Sequence, residues 1–285
     1  MRLLSFVTFI WAFSFSLIGV YLAGKLDSYF AVLIRVALAS LIFIPFTNFR
    51  LPNKFKLQIM GIGIIQIGLM YLFFYKSFLF LSVPEVLLFT IFTPLYVTII
   101  YDLLDAKFNP LYILTAAIAV LGAYVIKSSQ IHTGFFAGFM MVQGANICFA
   151  LGQVLYKKLL ENDDLKDVKQ STIFGYFHFG ALIISTAAFL LFGNMERITP
   201  DPTQWAVLLW LGVIASGLGY FLWNRGATEV DSGTLAIMNN AVVPLGLVVN
   251  LLLWGKDINY QSLILGGGLI LLALYTHKQI VIKSS

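Results

Sequence analysis

Arg35 is the residue of this chain whose chemistry most needs a partner, because it stands inside a long apolar stretch. An ionisable group at bilayer depth is costly unless it is paired or faces water. Arg35 lies six residues past Tyr29, about 9 Å along a helix that rises 1.5 Å per residue. From there a long arginine either snorkels to the nearer interface or reaches a cavity and holds an anion with its two-pronged guanidinium. The residue type allows both. Glu85 is the carboxylate nearest a span interior and faces a similar choice. It could carry a coupling proton. It could also complete a capping box, since Ser82-Val83-Pro84-Glu85 is the pattern of a helix start with proline at the first helical position. Lys76, just upstream on the same side, reads as an interfacial anchor.

The other polar side chains within apolar stretches are uncharged: Trp11, Ser14 and Ser16; Gln66, Tyr71 and Tyr75; Gln143, Asn146 and Gln153; Tyr220, Trp223 and Asn224; Asn239 and Asn240. Such a set suits a polar but largely neutral ring system, stacked on aromatics and held by amide hydrogen bonds. The same residues also serve as glue between helices or as interfacial belts. Asn239-Asn240 stands apart, because two adjacent amides fall one turn before Pro244 in an otherwise apolar run. The candidate binding set is therefore Trp11, Ser14, Arg35, Tyr71, Tyr75, Asn146, Tyr220, Trp223, Asn239 and Asn240, with Glu85 as the candidate coupling group.

Enzymatic constellations are missing. The sequence has no His-Glu-x-x-His for zinc, no Gly-x-Ser-Gly nucleophile and no Gly-x-Gly-Asp to accompany Tyr101-Asp102. His132, His178 and His277 are far apart, and Cys148 is the single cysteine, so no metal site, disulfide or cofactor is expected. No P-loop follows a strand, which excludes a visible ATPase engine. A channel filter or ring of like charges is not evident either. Gly134 and Gly138, Gly217 and Gly219, and Gly266-Gly267-Gly268 read as close-packing positions between helices.

What must position these residues is a membrane-spanning scaffold. Hydrophobic residues make up 60% of the 285-residue chain and charged residues 11%, with a mean hydropathy of +0.90, far from the soluble balance. A bilayer core about 30 Å thick needs roughly 20 apolar residues per helix. Ten segments approach that length: 3–23, 29–47, 57–75, 84–101, 111–126, 134–156, 172–192, 203–223, 233–254 and 261–276. The first runs too long for a secretory signal and lacks a small-x-small cleavage site, so it reads as a span. With the N-terminus inside, twelve Lys and Arg fall in cytoplasmic pieces and five in outer loops, which satisfies the positive-inside rule and places both termini in the cytoplasm. The net charge of +5 is scattered at span ends instead of forming a basic stripe, so nucleic acid is set aside.

An internal repeat sharpens the expectation. At an offset of 150 residues, Ser82 lies over Ser232, Pro94-Leu95 over Pro244-Leu245 and Asn109 over Asn259. Five spans per half is an odd number, so the second copy enters the membrane inverted. The expected fold class is an all-α membrane protein of ten transmembrane helices in two five-helix inverted repeats, residues 1–130 and 131–285, forming one membrane domain. Pro94 and Pro244 each free the carbonyl four residues back, those of Thr90 and Asn240, and such helix breaks lie where carriers hold substrate. A central cavity lined by the first, third, fourth, sixth, eighth and ninth spans follows.

Ten spans in two halves, the string Trp11-Ala12-Phe13-Ser14-Phe15-Ser16 and the Pro94/Pro244 pair resemble, over the whole chain, the EamA type of the drug/metabolite transporter superfamily. At closer range the chain resembles biotin-importing members of its carboxylate/amino acid/amine transporter group. That likeness rests on Asp27 to Leu33, Arg35, Thr93-Pro94-Leu95-Tyr96, Ala215-Ser216-Gly217, Gly219-Tyr220-Phe221, Gly233-Thr234-Leu235 and Ile237-Met238-Asn239-Asn240. The resemblance implies a bacterial inner-membrane importer of biotin. Arg35 or Lys76 would meet the carboxylate, Asn and Ser groups the ureido ring, and Trp11, Tyr71 or Trp223 the apolar bicycle. The partners expected are that small molecule and the lipid bilayer, with no obligate protein. The same residue types fit amino acids, so an exporter of amino acids or related metabolites stays open.

Overall fold

The computed structural model describes residues 1–104, 134–161, 165, 168–230 and 232–255, and further on 264, 265, 268, 272, 275, 276 and 279. Seven described helices are long and apolar enough to cross a membrane: α1 (Arg2–Leu22), α2 (Ser28–Phe46), α3 (Asn53–Ser77), α4 (Val83–Leu104), α5 (Phe135–Leu160), α6 (Gln170–Phe192) and α7 (Pro202–Thr228). An eighth, α8, spans Ser232–Trp254. These coincide with eight of the expected spans. The span expected at 111–126, the boundary at 130/131, the coincidence of Asn109 with Asn259 and most of the span at 261–276 lie outside the described residues. The protein is thus a helical, multi-pass membrane protein.

Local hydrogen bonding sets where helices begin. The Asp27 carboxylate accepts from the Phe30 backbone N–H at 2.8 Å and starts α2. Asp201 accepts from Gln204 N at 2.8 Å while the Gln204 side chain accepts from Asp201 N at 2.9 Å, a reciprocal box with Pro202 in the first turn of α7. Lys157 and Lys158, just past the span expected at 134–156, form the last turn of α5, where positive charge suits the helix C-terminus.

Three helices depart from α geometry midway. α3 widens to a π-helix over Ile64–Leu69, α7 over Trp210–Leu218, and α4 tightens to a 3-10 turn at Thr90–Phe92. A further π segment, Ile18–Leu22, closes α1; Gln66 and Ser216, which the 150-residue offset superposes, each sit in one of the two mid-helix π segments. Such segments leave backbone groups unpaired in the regular ladder and cluster at functional sites.

Packing separates two surfaces. Phe6, Phe9, Leu41, Leu190, Leu191 and Leu252 are exposed on the outside, where lipid rather than water is the matching solvent. Inside, Gln66, Gln143, Asn146, Gln153, Asn224 and Asn239 are buried. Several tie helices together: Gln66 Nε2 donates to Asn224 Oδ1 at 2.9 Å between α3 and α7, and Asn250 Nδ2 to Ser16 Oγ at 3.0 Å between α8 and α1. Helices approach closely where glycine removes bulk. A Cβ at Gly63 would strike the Phe177 carbonyl and one at Gly180 the Met60 carbonyl, so α3 and α6 cross backbone to backbone.

Candidate functional site

Seven of the eight described helices converge on a central cavity of about 90 Å³. Trp11, Ser14 and Phe15 of α1, Arg35 of α2, Met70, Tyr71 and Phe74 of α3, and Thr90 and Thr93 of α4 line it. Ala145, Asn146 and Phe149 of α5, Tyr220 and Trp223 of α7, and Asn239 and Val242 of α8 complete it. The expected lining helices all contribute, and α2 joins them through Arg35.

Arg35 is turned into the bundle and is only 2% exposed. Its Nε donates to Ser216 Oγ, and its Nη1 makes a long 3.4 Å bond to the Tyr75 hydroxyl. The guanidinium carbon lies 4.2 Å from the Tyr71 ring centroid, and the Tyr71 hydroxyl is hydrogen-bonded to Ser216 Oγ at 2.9 Å. The ring quadrupole and two hydroxyl dipoles offset part of the desolvation of the cation. No carboxylate among the described residues pairs with it. The planar fork of such a guanidinium matches the two oxygens of a carboxylate.

Aromatic rings form a second wall. Trp11 packs on Trp223 with centroids 4.9 Å apart and planes at 32°, on Tyr220 at 5.0 Å and on Phe149 at 5.7 Å. Trp11 Nε1 donates to the Ala215 carbonyl at 2.9 Å, an acceptor inside the α7 π segment. A Cβ at position 219 would come within 2.9 Å of that indole nitrogen, so Gly219 is what lets Trp11 lie there. Trp223 Nε1 donates to Gln153 Oε1 at 3.0 Å, and Gln153 also meets Asn239 at 3.4 Å. Each indole N–H is thereby satisfied while both residues line the cavity.

The remaining wall is polar and uncharged. Asn146 Nδ2 donates to the Phe89 carbonyl at 2.8 Å, just before the 3-10 turn of α4. Pro94 cannot donate to the Thr90 carbonyl, and the Thr93 hydroxyl does so instead at 2.7 Å. Thr90 and Thr93 thus line the cavity because the proline changes the local helix. Ser14 lines the cavity, and its Oγ is buried without a partner among the described residues.

Not every expected site residue gathers here. Tyr75 touches Arg35 without lining the cavity, and Asn240 lies outside the lining with its Oδ1 buried and without a partner among the described residues. Glu85 Oε2 accepts from the Ser82 N–H and hydroxyl, both at 2.7 Å, completing the capping box at the start of α4 away from the cavity. Pro94 is buried after a 3-10 turn, whereas Pro244 sits inside a helix that runs unbroken through it. Ser216, Thr93 and Phe149 were not among the expected site residues, and Thr90 was singled out only for its backbone carbonyl. Thr90 was signalled by its place four residues before Pro94; a serine in a small-residue segment such as Ala215-Ser216-Gly217 carries no comparable signal.

Comparison with known proteins agrees with this geometry. Residues 2–128 and 136–276 match the EamA-like transporter family. A protein of Pseudomonas aeruginosa named "Probable biotin transporter" is 49% identical over 98% of this chain and 97% of its own length. One of Salmonella typhimurium named "Biotin transporter" is 45% identical over 100% of this chain and 95% of its own. A solved structure described as "Crystal structure of protein" shares the fold with a TM-score of 0.66 at 14% identity, covering 99% of this chain and 97% of that one. A lipid-facing helical bundle around a cavity lined by a buried arginine, together with a family match over nearly its full length, makes this chain a member of the EamA-like transporter family.

Proposed function

We propose that this chain is a secondary carrier that imports biotin across the bacterial inner membrane by alternating access. Its ten transmembrane helices form two five-helix inverted repeats, residues 1–130 and 131–285, with both termini in the cytoplasm. Support for the two halves comes from the separate family matches over 2–128 and 136–276 and from the paired π segments of α3 and α7. Support for the substrate comes from the names of the relatives and from the chemistry of the cavity.

The observation that carries the reading is the division of the cavity into a cationic wall, an aromatic wall and a neutral polar wall. Biotin divides in the same way. Its carboxylate pairs with Arg35, its bicycle lies against Trp11, Tyr220 and Trp223, and its ureido group meets Ser14, Asn146 and Asn239. An amino acid would also need a partner for its ammonium, and no carboxylate lines the described cavity. Import of biotin is therefore preferred to export of amino acids.

Uptake of radiolabelled biotin into cells that lack their own biotin synthesis and transport tests this directly. Saturable uptake that depends on this chain and is competed by biotin but not by amino acids is expected. No uptake from a protein shown to be inserted would move the substrate elsewhere.

A further inference from the structure

Ser216 is fully buried in the π segment of α7 and bonds two cavity residues at once. Its hydroxyl accepts from Arg35 Nε and is hydrogen-bonded to the Tyr71 hydroxyl. Two glycines bring it there. A Cβ at Gly212 would lie 2.7 Å from Leu38 Cβ and 3.1 Å from the Arg35 carbonyl, and one at Gly217 would lie 2.5 Å from Ile42 Cδ1. α7 therefore rides directly on the 35–42 stretch of α2.

A guanidinium presents two edges that bind a carboxylate with two parallel hydrogen bonds: the end-on edge, from both Nη atoms, and the side-on edge, which includes Nε. Here Nε is taken by Ser216 and one face is covered by Tyr71. That leaves the end-on edge for a ligand in the cavity, with Nη1 at its corner also in a long 3.4 Å bond to the Tyr75 hydroxyl.

We propose that Ser216 is a positioning residue that occupies the Nε edge of Arg35, so that the carrier selects ligands bearing a carboxylate presented end-on. This rests on the biotin reading and deepens it. The hydroxyl does not touch the substrate; it removes the alternative geometry. Its contribution therefore exists only for a ligand that uses both Nη atoms and only while residue 35 is an arginine.

The test compares Ser216→Thr, which keeps a hydroxyl, with Ser216→Val, which has nearly the same shape without one, in proteoliposomes assayed by biotin counterflow. Inhibition by biotinamide, which has no carboxylate, is measured alongside. The valine variant is expected to raise the KM for biotin about tenfold relative to the threonine variant, with similar maximal rate and unchanged inhibition by biotinamide. On an Arg35→Lys background the Thr/Val difference should vanish, because lysine has no Nε edge to occupy. An equal loss for biotin and biotinamide, or a Thr/Val difference that persists beside lysine, would overturn the proposal and leave Ser216 as packing. Absence of biotin counterflow in the wild-type protein would instead overturn the substrate reading, and the proposal with it.

Discussion

Arg35 and Tyr71 meet face-on between α2 and α3, the guanidinium carbon 4.2 Å from the ring centroid, with Ser216 bonded to both. A cation over an aromatic face in a dry interior is worth about 0.5–2 kcal/mol. The stack also fixes the plane in which the guanidinium presents its donors. The Tyr71 hydroxyl and the Tyr71 ring therefore make separable contributions.

Tyr71→Phe keeps the stack and loses the bond to Ser216; biotin KM should rise about two- to tenfold, the equivalent of about 0.5–1.5 kcal/mol. Tyr71→Leu removes the ring as well and should cost more. Arg35→Ala should abolish saturable uptake while the protein still reaches the membrane. Uptake kinetics with immunodetection in isolated membranes check all three, and normal uptake by Arg35→Ala would reject the site.

Gly219→Ala places a methyl group 2.9 Å from Trp11 Nε1, in a ring held on three sides by Tyr220, Trp223 and Phe149. The methyl group pushes the indole away from its place, so its bond to the Ala215 carbonyl is strained. Biotin affinity should fall by about tenfold, from about 1–3 kcal/mol of overpacking, with quenching of tryptophan fluorescence by ligand altered in parallel. Unchanged ligand quenching would show that Trp11 does not contact substrate.

Gly63→Ala and Gly180→Ala each drive a methyl group into a backbone carbonyl of the facing helix, where no side chain can yield. Each should lower stability by about 1–3 kcal/mol and reduce the thermal midpoint of the detergent-solubilised protein. Gly61→Ala is the control, since a Cβ there meets nothing within 4 Å.

Glu85→Gln preserves a side-chain acceptor for the Ser82 N–H and should leave uptake and its dependence on a pH gradient unchanged. Glu85→Ala loses the cap at a cost of about 1 kcal/mol, read as a lower thermal midpoint. Loss of pH-gradient dependence in the glutamine variant alone would assign a coupling role to the carboxylate.

The lipid-spanning helices were legible in the sequence because bilayer thickness and hydropathy act on each segment separately. Helix starts were legible for the same reason: Ser82-Val83-Pro84-Glu85 carries its own capping partners within three residues. So was most of the cavity, because polar side chains in lipid-facing helices have few other places to go. Trp11, Ser14, Tyr71, Asn146, Tyr220, Trp223 and Asn239 all turn inward to it. Tertiary structure alone decided the rest. Arg35 had two physically sound outcomes at its depth, and the choice depended on Ser216, distant in sequence, being brought against it by glycines at a helix crossing. Pro94 and Pro244 look equivalent along the chain, yet α4 tightens before one and α8 continues as α-helix through the other. Asn240, adjacent to a lining residue, falls outside the cavity because a step of one residue turns a side chain about 100° around an α-helix. These outcomes rest on contacts between residues far apart in the chain, and a one-dimensional pattern does not contain the rotation of one helix against another.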